Sequence, residues 1–167
     1  MKILILSFII VASQTALALV PVCDRSVGAR ELIEATTGKD CRDISQSDLN
    51  DIIELNVTYF DHIDIVEELR SLDFSSMPKL RRLNLNYALL TTIPDNLFGG
   101  ESKLTYLDLT DNMLTVFPVG LLRQTPHLQE LLLSGNDIVT MPSRALAHLS
   151  DLRVLAFARN ELTSIPG

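Results

Sequence analysis

The feature that most constrains this chain is a period of 24 residues. Leu80-x-x-Leu83-x-Leu85 returns as Leu104-x-x-Leu107-x-Leu109, Leu128-x-x-Leu131-x-Leu133 and Leu152-x-x-Leu155-x-Phe157. The register then holds. Asn112, Asn136 and Asn160 take the ninth position, and Leu90, Leu114, Ile138 and Leu162 the eleventh. Ile93-Pro94, Phe117-Pro118, Met141-Pro142 and Ile165-Pro166 follow. A degenerate copy, Ile52-x-x-Leu55-x-Val57-x-x-Phe60, starts 28 residues before Leu80, and its tail around Asp73-Phe74 matches the later Asn96-Leu97-Phe98 region. Units this short cannot bury an apolar face alone, so about five of them, over 52–167, must stack and share one core.

Within each copy apolar and polar residues alternate with a period of two, which predicts a short strand with leucines inward and their neighbours outward. The ninth-position Asn stands where the chain leaves the strand, and its amide can satisfy backbone groups of adjacent coils. Ala88 replaces it in the first regular copy and removes one rung. The prolines keep the return segments irregular and take away a donor, so loops and short turns are expected there. The expected fold class is an α/β solenoid, a right-handed superhelix forming a short horseshoe with a parallel sheet on its concave side. Glu101 and Thr125 stand where Met77 and Leu149 are apolar, and those two loops are expected to pack less well.

Ahead of the repeats, residues 1–18 read as a secretory signal: Lys2, an apolar run from Ile3 to Ala12, and Ala16-Leu17-Ala18 at the cut. Residues 19–51 are expected to form a helical cap over the first coil. Asp24 would cap a helix through Ala35 that stops at Gly38, and Ser45-x-x-Asp48 would open a second. Cys23 and Cys41, the only cysteines, are most simply one disulfide in an oxidising compartment. A lipid anchor on Cys23 is the competing reading, disfavoured by Val22, where a lipobox wants a small residue. At the other end, Leu152, Leu155, Phe157, Leu162 and Ile165 have nothing after Gly167 to cover them. The expectation is that the natural protein continues, that the last coil frays, or that two copies associate end to end.

The capped start over residues 20–57, followed by L-x-x-L-x-L-x-x-N-x-L-x-x-I-P-x-x-x-F coils, resembles bacterial secreted or cell-surface leucine-rich repeat proteins. The resemblance implies a protein-binding scaffold, with no cofactor and no particular partner specified.

Composition narrows the function further. With 14 Lys+Arg against 21 Asp+Glu the net charge is −7, so a nucleic-acid backbone would meet no basic patch. The chain has no Gly-x-Ser-x-Gly, phosphate loop, His-Glu-x-x-His or paired zinc cysteines, so neither catalysis, a small-molecule substrate nor a metal is expected. His62, His127 and His148 lie in different coils and read as solvated loop residues. Asp61, Asp64, Glu67 and Glu68 lack the spacing and glycine of a calcium loop and read as a charged outer face. Asn56-Val57-Thr58 falls within a strand and reads as a chance glycosylation sequon.

The outward strand positions remain. The third position runs Glu54, Arg82, Tyr106, Glu130, Val154 and the fifth Asn56, Asn84, Asp108, Leu132, Ala156, so polarity falls along the stack. Tyr59, Tyr87, Asp111, Gly135 and Arg159 come just after the strands. Tyrosines beside carboxylates, running into exposed Leu132 and Val154, suit an interface centre with a polar rim. The partner-binding residues are therefore expected to be Tyr87, Tyr106, Asp108, Asp111, Glu130, Leu132, Val154 and Arg159. A protein or cell-envelope ligand is the expected partner, and a structural, lipid-anchored envelope protein is the alternative.

Overall fold

The computed structural model describes residues 20–57 and 69–163. The signal-like residues 1–18, the acidic stretch with His62, Thr58 of the sequon, and Ile165 lie outside them. Five three-residue strands form one parallel sheet in chain order: β1 (Glu54–Asn56), β2 (Arg82–Asn84), β3 (Tyr106–Asp108), β4 (Glu130–Leu132) and β5 (Val154–Ala156). Leu55, Leu83, Leu107, Leu131 and Leu155 pair in register, the alignment that the 28- and 24-residue spacings predict. The first four are fully buried, whereas Leu155 is 40% exposed because, among the described residues, no coil stacks beyond β5.

Just after each of β2, β3, β4 and β5 the chain turns through a left-handed residue: Tyr87 (φ 54°), Asp111 (φ 51°), Gly135 (φ 69°) and Arg159 (φ 55°). This break in the alternation lets position eight face outward and position nine inward. It also aims an N–H at the next coil: Tyr87 donates to the Thr110 carbonyl, Asp111 to Ser134 and Gly135 to Ala158, over 2.8–3.1 Å.

The inward asparagines then lock coil to coil. Asn136 Nδ2 donates to the Leu109 and Leu133 carbonyls at 2.9 and 3.1 Å, and its Oδ1 accepts from the Leu114 N–H at 3.0 Å. Asn112 and Asn160 make the same three bonds one coil away on either side. Buried Ala88 has no side-chain amide with which to extend the ladder towards β1. Ring contacts also tie the coils, Phe74 to Phe98 at 6.5 Å on the return side and Phe117 to Phe157, beside β5, at 5.9 Å between centroids.

Two expectations about the return side are corrected. Thr125 does not loosen its loop: it is fully buried, and its hydroxyl donates to the Leu122 carbonyl at 3.1 Å, which satisfies the polar atom locally. One return segment is helical, α3 (Val119–Arg123), since a proline at its N-cap costs the helix no bond.

Before the sheet come α1 (Val27–Thr37) and α2 (Gln46–Asp51). Ser26, not Asp24, caps α1, its Oγ accepting from the Ala29 N–H; Asp24 instead ends a preceding 3-10 turn, and the helix runs two residues past Ala35 to Gly38 in the left-handed conformation. Ser45 and Asp48 form the reciprocal capping box on α2. Cys23 and Cys41 are bridged, with Cα atoms 5.1 Å apart. α1 lies against β1 and buries Ala29, Leu32 and Ile33 there.

A polar knot ties this region to the first coil. Asp73, 1% exposed, accepts from the Ser26 N–H and hydroxyl at 2.9 and 2.6 Å and from the Arg70 N–H at 2.7 Å. Arg25 beside it donates to the Asp73 and Ser75 carbonyls. Burial pushes the Arg25 guanidinium below its ordinary pKa, and the Asp73 charge works in the opposite direction.

Candidate functional site

Side chains on the polar half of the sheet's outward face are tied to one another. Arg82 Nε stands 3.5 Å from Glu54 Oε1, and its guanidinium carbon lies 3.7 Å from the centroid of the Tyr106 ring, a cation–π stack one strand along. Asn56 Nδ2 donates to Glu54 Oε1 at 2.7 Å. Tyr106 Oη donates to Asp108 Oδ2 at 3.2 Å, while Asp108 Oδ1 accepts from the Thr110 N–H at 2.9 Å. The ring is thus held on both sides. Burial, then the Asp108 charge and hydrogen bond, raise the Tyr106 pKa, with Arg82 opposing.

Beside this platform lie Glu130, in register with Tyr106, and half-buried Leu132, in register with Asp108. Val154, 43% exposed, follows on β5. Five of the eight residues expected to bind a partner are therefore adjacent on β3, β4 and β5. Asp108 is nevertheless 7% exposed, so it acts by holding Tyr106 and offers little surface of its own.

Tyr87, Asp111 and Arg159 belong to the left-handed turn column instead. Arg159 donates to Asp111 Oδ1 at 3.0 Å across two coils. Between them Gly135 leaves the space empty of a side chain, since a Cβ there would fall 2.1 Å from Asp111 Oδ1. Arg82 and Glu54 were not expected to take part in the site. Their signal was available, because both hold the third repeat position that nominates Tyr106.

The histidines take different places. His127 is exposed between Glu101 and Asp151, at 3.6 and 3.8 Å. His148 is not simply solvated: its Nε2 lies 2.9 Å from the Leu122 carbonyl and so bridges two return segments. Glu34, Asp40 and Cys41 converge within 4.8 Å near α1, but the sulfur is in the disulfide and Glu34 accepts the Cys41 N–H, so no thiolate is on offer. Among the described residues no helix is long and apolar enough to cross a membrane.

Residues 66–114 and 78–138 match a family model described as leucine rich repeat. Among solved structures, an internalin from Listeria monocytogenes aligns with 91% of this chain and 49% of its own at 22% identity and a TM-score of 0.61. A leucine-rich repeat protein of Leptospira interrogans aligns with 55% of this chain and 28% of its own at 29% identity and a TM-score of 0.41. The chain thus spans half or less of the length of these two solved chains. No curated protein matches it significantly in sequence. Residues 66–138 thus carry leucine-rich repeats, and the stacked parallel strands form the solenoid fold that the internalin shares.

Proposed function

We propose that the chain is an exported, non-enzymatic binding module that takes a protein or cell-envelope ligand on its concave face, where Tyr106, Asp108, Glu130, Leu132 and Val154 make the contact and Tyr87, Asp111 and Arg159 flank it. The observation that carries this reading is the Glu54–Arg82–Tyr106–Asp108 chain. It holds a large aromatic side chain in one orientation beside a half-buried leucine, and an aromatic anchor that loses little rotamer freedom on binding is what interface centres favour.

Export is supported by the secretory pattern of residues 1–18 and by the Cys23–Cys41 bridge. The bridge also bears on the alternative, a lipid-anchored envelope protein. An anchor on Cys23 needs the sulfur that Cys41 holds. Mass spectrometry of the exported chain separates the two: an N-terminus near Leu19 with bridged cysteines fits the binding module, and a lipid mass on Cys23 would establish the alternative.

The binding face is tested by pull-down from surface extracts. Replacing Tyr106 and Leu132 together with alanine is expected to abolish capture while the unfolding transition stays near that of the parent chain. Retained capture, with loss instead on changing His148 of the return side, would refute the concave site.

A further inference from the structure

Next to the strands, on the flank where the chain leaves them, the large apolar side chains of Tyr87, Leu89, Met113, Val116 and Val139 are exposed by 60%, 57%, 41%, 74% and 39%. On the strands themselves only Val154 and Leu155 reach comparable exposure. The flank residues are neighbours across coils. Met113 N donates to the Leu90 carbonyl at 2.9 Å, Asp137 N to Leu114 at 3.0 Å and Glu161 N to Ile138 at 3.1 Å. Position ten therefore forms a straight column of Leu89, Met113, Asp137 and Glu161, apolar for two coils and acidic for the next two.

Folding does not account for this surface. Leu89 takes the left-handed conformation (φ 55°) while most of its side chain meets water, so it contributes neither favourable backbone nor much burial. Asn or Gly would suit that backbone better.

The charges around the patch choose its occupant. Asp111 is already met by Arg159, but Asp137 and Glu161 have no ion-pair partner among the described residues. A second copy placed face to face would set carboxylates against carboxylates with the columns parallel, and against Leu89 and Met113 with them antiparallel, on a chain of net charge −7. We propose that the flank is the apolar half of the binding surface, and that it takes a protein segment whose apolar residues cover Leu89 and Met113 while Lys or Arg residues meet Asp137 and Glu161. This rests on the reading of the chain as a protein-binding module and moves the main apolar contact from the sheet to its edge.

Titration of the isotope-labelled chain by NMR with three synthetic ten-residue peptides tests it: one alternating leucine with lysine, one leucine with glutamate, one serine with lysine. The leucine–lysine peptide is expected to shift amides at 87–89, 113–116 and 137–139 saturably, with the other two at least tenfold weaker. The Leu89→Asn, Met113→Ser variant should weaken it at least tenfold while remaining as stable as the parent, since Asn tolerates the left-handed backbone. The His127→Ala variant, changed at an exposed position outside both faces, should bind it as the parent does. Shifts confined to residues 106, 130 and 132, and lost with Tyr106 and Leu132, would overturn the flank and leave the concave site standing. Equal binding of the glutamate peptide, the absence of saturable binding, or self-association mapping to Leu89 and Met113 would each overturn the proposal.

Discussion

Arg159 reaches Asp111 over the top of Gly135: three consecutive left-handed turn residues are joined by an ion pair between the outer two, made possible by the missing side chain of the middle one. The pair itself is a surface contact, with the Arg159 side chain 70% exposed, and such pairs contribute little. It spans two coils whose strands, β3 and β5, do not pair with each other.

Gly135→Ala is therefore expected to destabilise the chain by more than about 1 kcal/mol, from the left-handed backbone and the collision with Asp111 together. Arg159→Ala should cost at most about 1 kcal/mol. Urea denaturation of the two variants measures the difference, and equal midpoints would show that the glycine is not required there.

Asn136→Ala orphans the buried Leu114 N–H and takes one of two amide donors from each of the Leu109 and Leu133 carbonyls, which keep Asn112 and Asn160, at a cost of roughly 1–3 kcal/mol. His127→Ala removes only an exposed group between two carboxylates and should stay within about 0.5 kcal/mol of the parent. Thermal unfolding of the pair gives the contrast directly.

Asp73→Ala strips three donors of their acceptor and leaves Arg25 buried without a nearby counter-charge. The expected loss is about 3 kcal/mol or more. Replacing both cysteines by serine should cost roughly 3 kcal/mol in the chain-entropy account of an 18-residue separation. Hydrogen exchange in α1 should rise in both variants before it rises in β3 or β4, and uniform acceleration over all strands would contradict a local role.

The strand that ends the sheet should open most easily. Leu155 is 40% exposed where Leu107 and Leu131 are fully buried, and opening free energy falls with lost burial. In a monomer of this chain, amides of 154–156 are expected to exchange faster than those of 106–108; equal protection would show that the last coil is held by something other than a covering neighbour.

Lys39 first, and then the Ser45 hydroxyl and N–H, hold the Asp48 carboxyl well below the usual carboxylate range. A carboxyl whose pKa is lower folded than unfolded adds stability that is complete above its unfolded value near 4 and disappears as pH falls towards the folded one. Asp48→Asn should therefore lower stability at neutral pH and flatten its decline below about pH 4. Denaturation midpoints from pH 2 to 7 check the sign: a decline as steep in the variant as in the parent would locate the acid sensitivity elsewhere.

The repeat determined a great deal by itself. The spacing of Leu83, Leu107, Leu131 and Leu155 dictates a parallel sheet and its register, because a one-residue slip would turn every leucine to solvent. It also places Asn112, Asn136 and Asn160 in one buried column, and it nominates Tyr106 and Leu132 as outward neighbours. Periodicity can do this since each coil meets only its neighbours, so a spacing in sequence becomes a distance in space. Tertiary structure decided what has no period. Asp73 meets Ser26 across 47 residues of unrelated sequence, and Thr125 looked like a packing defect until its hydroxyl found the Leu122 carbonyl. The column of left-handed turns was likewise hard to see, since Tyr and Arg carry no such signature and the demand for an inward ninth residue, Ala88 as much as Asn, imposes it. Exposure of Leu89 and Met113 belongs to the same class: alternation marks which strand residues face out, but past the strand only the path of the chain sets which apolar side chains meet water.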